Sequence, residues 1–75
     1  MANKNEFKDQ LTKLGKKIRL LREKKRLSQE GLGIRAGLHR NYISKLELAQ
    51  KNPTYTTLIK LSNALEVSIY ELLGE

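Results

Sequence analysis

The stretch SQEGLGIRAGLHRNYISKLE, Ser28 to Glu47, decides how this chain folds. It opens on a serine, a good N-cap, and places Glu30 in the first turn, where an acid suits the helix dipole. Leu32 and Ala36 stand four apart and share one face. Gly37 then supplies the permissive backbone that a sharp turn needs. A second helix is expected from about His39 to Leu48. Within it, Ile43 and Leu46 share a face, with Tyr42 and Glu47 at its edges. Arg40, Asn41, Ser44 and Lys45 project from the opposite side, and Leu48 joins them unless the helix has already ended. Gly31 and Gly33 lie inside the first of these helices, each at a cost of about 1 kcal/mol relative to alanine. An interior glycine marks close approach by another backbone. Gly33 is the candidate for that role, whereas Gly31 has no sequence-level explanation.

Two short helices around a glycine turn, the second polar at its outward N-terminal end, match a helix-turn-helix spanning about residues 28–48. Upstream, Phe7, Leu11, Leu14, Ile18 and Leu21 form one stripe of a longer helix, with lysines on its other side. Asn3 or Asn5 is the expected cap, and the helix should fray near Lys25 and Arg26. Downstream, AQKNPTYTT reads as a loop in which Pro53 fixes the entry to a fourth helix and Thr54 caps it. Leu58, Leu61, Ala64 and Leu65 face inward. Ser68 and Glu71 form a capping box for a last short helix carrying Leu72 and Leu73. No strand or repeat is visible. The expectation is an all-α domain of five helices covering residues 1–75, with residues 1–5 loosely held.

Bulk properties narrow the function. Seventy-five residues make one small domain, of a size that buries only about 60% of the surface its unfolded chain exposes. There is no cysteine, so neither a disulfide nor a thiolate metal site supports the fold. No apolar run approaches the roughly 20 residues of a membrane span, and the polar, acid-bearing start MANKNEFKDQ is not a secretory signal. A cytoplasmic location is expected. The net charge is +7 and unevenly placed. Lys13 to Arg26 holds eight basic residues and one acid, whereas Leu61 to Glu75 holds three acids and no base. Such polarity implies a polyanionic partner, first nucleic acid and second an anionic membrane. The membrane reading is disfavoured because the apolar stripe of the first helix is needed for the core.

His39 stands alone, without the further ligands a metal would require; an N-cap or backbone contact suits it better. Ser28 and Ser44 lack an adjacent base with an orienting acid, and no glycine-rich loop cradles phosphate. No enzyme activity, cofactor, metal or small-molecule ligand is expected.

The chain from Leu14 to Leu73 resembles the lambda-repressor-like helix-turn-helix family, the Cro/repressor or XRE type found in phage repressors and small bacterial regulators. The resemblance rests on Ser28-Gln29, Ala36-Gly37-Leu38, Tyr42-Ile43-Ser44, Glu47, Asn52-Pro53, Leu58 and Ala64-Leu65-Glu66-Val67-Ser68. Length and the LHRNYIS core look most like the controller proteins of restriction–modification systems, with short phage-type repressors close behind. The resemblance implies that Gln29 touches the DNA backbone at a helix N-terminus. It implies that Arg40, Asn41, Ser44 and Lys45 enter the major groove. Tyr42 would pack beneath the reading helix and touch the backbone, while Lys51 and Asn52 grip phosphate. Arg22 and Glu47 match a buried ion pair. The chemistry agrees: arginine chelates guanine O6 and N7, asparagine pairs with adenine N6 and N7, and a carboxylate at the core edge needs a cation. One departure is that the family usually has a glycine soon after the position of Glu47. Here LELAQ stands instead, so the reading helix is expected to end differently.

One such unit contacts too few base pairs to select a genomic site. A homodimer on a pseudo-palindromic operator is therefore expected, acting by blocking or contacting RNA polymerase. Its interface is placed on the acidic, apolar C-terminal part, at Leu65, Val67, Ile69 and Tyr70. The alternative is an antitoxin-like module whose main duty is to hold a partner protein.

Overall fold

The computed structural model describes residues 7–74. They form five helices: α1 (Lys8–Lys24), α2 (Gln29–Ala36), α3 (Arg40–Glu47), α4 (Tyr55–Leu65) and α5 (Ile69–Leu73). Helices α2 and α3 pack on each other, α1 lies against α3 and α5, and α4 closes the bundle against α2. The core is Ile18, Leu21, Leu32, Ala36, Ile43, Leu46, Leu61, Ala64, Leu65 and Leu72. Every helix contributes to it, as a chain this short requires if each apolar stripe is to be covered.

Four helices start on a side-chain cap. Ser28 Oγ accepts from the Gly31 amide at 2.8 Å, and His39 Nδ1 from the Asn41 amide at 3.0 Å. Thr54 Oγ1 accepts from the Thr57 amide at 3.2 Å, and Ser68 Oγ from the Glu71 amide at 3.0 Å. Each satisfies a donor that the first helical turn leaves unpaired. The exception is α1. Its N-cap is Phe7, which makes no side-chain cap bond; Asn3 and Asn5, like the whole segment expected to be loose, lie outside the described residues.

The first four helices also end alike. A residue in the left-handed region follows each: Arg26 (φ 57°), Gly37 (φ 70°), Ala49 (φ 61°) and Glu66 (φ 59°). The next amide reaches back across the turn, from Leu27 to Arg22, Leu38 to Gly33, Gln50 to Lys45 and Val67 to Ser62, at 2.8–3.1 Å. This closure satisfies carbonyls that would otherwise be orphaned. In three of the four, the residue after the left-handed one (Leu27, Leu38 and Val67) packs onto the core. The helix boundaries are thereby tied to burial.

Three expectations are corrected. Phe7 does not extend the inward stripe; it is 59% exposed, because the first turn of α1 reaches beyond the elements that cover Leu14, Ile18 and Leu21. Leu65 cannot serve a partner surface, being fully buried between its neighbours, so it belongs wholly to the core. And α3 does not end differently for want of a glycine: Ala49 itself adopts the left-handed conformation that glycine would supply.

Candidate nucleic-acid interface

The geometry of the α2–α3 pair is set by two glycines with different tasks. Gly37 takes the positive φ of the turn. Gly33 is buried, and a Cβ there would collide with the Leu38 carbonyl oxygen and sit 3.4 Å from the Arg40 amide. A side chain at 33 would push the start of α3 away. The expected close approach is therefore real, and its partner is the backbone leading into α3.

From that start, α3 buries Ile43 and Leu46 and turns its other side outward. Arg40, Asn41 and Lys45 are exposed, and Ser44 is half-buried beside them. This is the face the 3.6-residue period implies. Tyr42 is half-buried and packs against the core, at the edge of the exposed face. His39 holds its ring nitrogen Nδ1 on the Asn41 amide. Lys51 and Asn52 are exposed in the loop between α3 and α4.

Behind the face lies the polar link between α1 and α3. Arg22 donates from Nε to Glu47 Oε2 at 2.6 Å and from Nη2 to Glu47 Oε1 at 3.0 Å. Its Nη1 donates to the Leu27 carbonyl at 2.9 Å. The two side chains are only 12% and 5% exposed. The hydrogen bond to Glu47 pushes the already high pKa of Arg22 higher still, against the opposing effect of burial. Gln29 joins the group by donating its amide to Glu47 Oε1 at 3.1 Å. The family resemblance implies that Gln29 touches the DNA backbone; in the structure its side chain braces the ion pair. Among the described residues no buried side-chain nitrogen or oxygen is left without a partner.

A contact the sequence reading missed is at Gly15. It is buried against the end of α3, where a Cβ would stand 2.6 Å from the Leu46 carbonyl oxygen and 2.7 Å from that of Glu47. Its absence lets α1 lie directly on the last turn of α3. A small residue on the inward side of an otherwise large-residue stripe was the available signal. Of the C-terminal residues assigned to an interface, Val67 packs on the core, Ile69 is half-buried and Tyr70 is 85% exposed. Tyr55 and Ile59, one turn apart on α4, add exposed apolar surface that had not been singled out.

Two short helices locked by glycines, with a polar, cationic face on the second, define a helix-turn-helix domain of the DNA-reading type. A helix-turn-helix family model matches residues 18–72, and the chain belongs to that family. It is 43% identical over 60 residues to the control protein C.SmaI of Serratia marcescens, covering 80% of this chain and 71% of that protein. It is 42% identical over 59 residues to the uncharacterised HTH-type transcriptional regulator y4dJ of Sinorhizobium fredii, covering 79% and 77% of the two chains. The crystal structure of the restriction–modification controller protein C.AhdI from Aeromonas hydrophila superposes with a TM-score of 0.81 at 40% identity, covering 83% of this chain and 94% of that one. The protein is accordingly a DNA-binding transcriptional regulator rather than an enzyme. No described helix is long and apolar enough to cross a membrane.

Proposed function

We propose that this chain is a cytoplasmic, sequence-specific regulator that binds a pseudo-palindromic operator as a homodimer, in the manner of a restriction–modification controller protein or a short phage-type repressor. The observation that carries this reading is the outward set Arg40, Asn41 and Lys45 on a helix whose other side is sealed by Ile43 and Leu46. Arg40 reads guanine and Asn41 adenine. Ser44 and Lys45 extend the contact, while Gln29, His39, Tyr42, Lys51 and Asn52 meet the flanking backbone. Likeness to the control protein C.SmaI and to the controller protein C.AhdI supports the controller assignment. The exposed apolar side chains Tyr70, Tyr55 and Ile59 support association through α4 and α5. Regulation follows from occupancy of the operator, by excluding or contacting RNA polymerase.

The test is selection of bound duplexes from a random pool. The expected result is an inverted repeat whose half-sites lie about 34 Å, one helical turn, apart. Recovery of a single asymmetric site, or of no preferred sequence, would refute the dimeric reading.

A further inference from the structure

Glu30 and Arg40 face each other across the mouth of the helix-turn-helix. The Arg40 guanidinium Nη1 stands 3.9 Å from Glu30 Oε2, and both side chains are more than half exposed. At that separation charge holds them rather than a hydrogen bond. The two line a shallow hollow with Ile34, Leu38 and His39, between the outer side of α2 and the start of α3. An acid suits the first turn of α2, but here it also stands beside the outward face of α3. The reading face must approach a polyanion, and a carboxylate beside it opposes that approach.

We propose that Glu30 is a specificity-determining, positioning residue: it restrains Arg40 in the absence of the right base and so lowers binding to DNA of the wrong sequence. The proposal rests on the base-reading role of Arg40. A guanidinium has five N–H donors in a rigid fork. One edge stays toward Glu30 while the other two-donor edge meets guanine O6 and N7, so the ion pair and base contact are compatible. On an unmatched sequence there is no such acceptor pair. Arg40 would then turn to the nearest phosphate, but only by leaving Glu30, and the carboxylate would lie close to that phosphate. Glu30 thus penalises the non-specific mode more than the specific one. Discrimination arises from the repulsive element as well as the attractive contact.

The experiment compares wild type, Glu30→Gln, Arg40→Ala and the double variant. Each is titrated over a range of salt with two probes. One is the best duplex from random-pool selection by the wild type; the other is a scrambled duplex of equal length and composition. With Glu30→Gln, affinity for the scrambled duplex should rise by about two- to five-fold, the range an exposed ion pair spans. Its salt slope should steepen by about 0.9, the signature of one added phosphate contact. Affinity for the selected duplex should not rise, and with Arg40 replaced by alanine the substitution should leave the selected-to-scrambled ratio unaltered. Equal strengthening on both duplexes, or the same change of ratio with and without Arg40, would overturn the proposal. If Arg40→Ala weakens both duplexes equally, base reading by Arg40 fails and the inference falls with it. If Arg40→Ala is selective but Glu30→Gln leaves the ratio untouched, only the role of Glu30 is refuted. A purely structural contribution of Glu30 at the start of α2 would move the melting temperature but not the salt slope on scrambled DNA.

Discussion

Arg22 on α1 and Glu47 on α3 meet in a two-pronged ion pair, at 2.6 and 3.0 Å, in a setting nearly closed to water. The pair fixes the last turn of α3 against α1, the longest helix of the domain. Gln29 adds a third element from α2. One carboxylate therefore sets the mutual placement of three helices. Its net worth is modest, because desolvation offsets the attraction; its loss is costly, because it strands a buried cation. Glu47→Ala should destabilise the fold by about 3–5 kcal/mol, measured by urea unfolding. Glu47→Gln should cost less, since it keeps an acceptor for Arg22. An unchanged midpoint for the alanine variant would show that the pair carries no structural weight.

Gly15 works at the same junction by steric means. Alanine there would press its methyl against two backbone carbonyls, 2.6 and 2.7 Å away. Backbone cannot rotate aside as a side chain does, so α1 and α3 must separate. Gly15→Ala should cost about 1–3 kcal/mol, the range for overpacking a tight contact, even though alanine is the better helix former. Thermal unfolding distinguishes the outcomes: a raised melting temperature would mean that helix propensity prevails and the approach is not tight.

Ala49 offers the opposite opportunity. A side-chain-bearing residue in the left-handed region costs about 1–2 kcal/mol. Glycine's greater freedom in the unfolded chain offsets about 0.4–1 kcal/mol of that. Ala49→Gly should therefore stabilise the protein by about 0.5–1 kcal/mol. The closing bond from the Gln50 amide to the Lys45 carbonyl, 2.8 Å, would be retained. Chemical denaturation should show a higher midpoint with an unchanged slope; a lower midpoint would contradict the strain.

Glu66 pairs with Lys25 across the ends of α4 and α1. The hydrogen bond from Lys25, then its charge, holds the Glu66 carboxyl below its ordinary value of 4.5. A depressed carboxyl stabilises the fold above its unfolded-state pKa and ceases to do so as pH falls through the folded value. Stability should thus decline below about pH 4.5, and Glu66→Gln should flatten that part of the profile. The pair is solvent-exposed, so the effect is small and is screened by salt. Urea midpoints followed across the acid range, at low and high salt, test both statements.

The periodic features of the fold are legible in the sequence. Ile18, Leu21, Leu32, Ala36, Ile43, Leu46 and Leu61 are buried where their spacing places them. Ser28, Thr54 and Ser68 cap the helices they precede. These signals are local, since a helical face and a cap depend on residues within a turn or two. What was illegible depends on distant partners. Gln29 reaches a carboxylate 18 positions away. Gly15 matters only because α3 lies on it. Phe7 continues the stripe in sequence, yet lies beyond the elements that would cover it. Leu65 was assigned both to the inward face of α4 and to an interface; two uses of one side chain compete, and the core prevails. Ala49 adopts its left-handed conformation because the helix end and its closing bond impose it, with no local residue signal.

Whether α3 reads base edges in the major groove is decided by methylation interference on the selected duplex. Methyl groups on guanine N7 occupy the major groove and remove an acceptor that Arg40 requires, whereas methyl groups on adenine N3 occupy the minor groove. N7 methylation at one guanine in each half-site should abolish binding, and N3 methylation within the half-sites should not. Binding that survives N7 methylation throughout, or is lost only on N3 methylation, would contradict major-groove reading by α3.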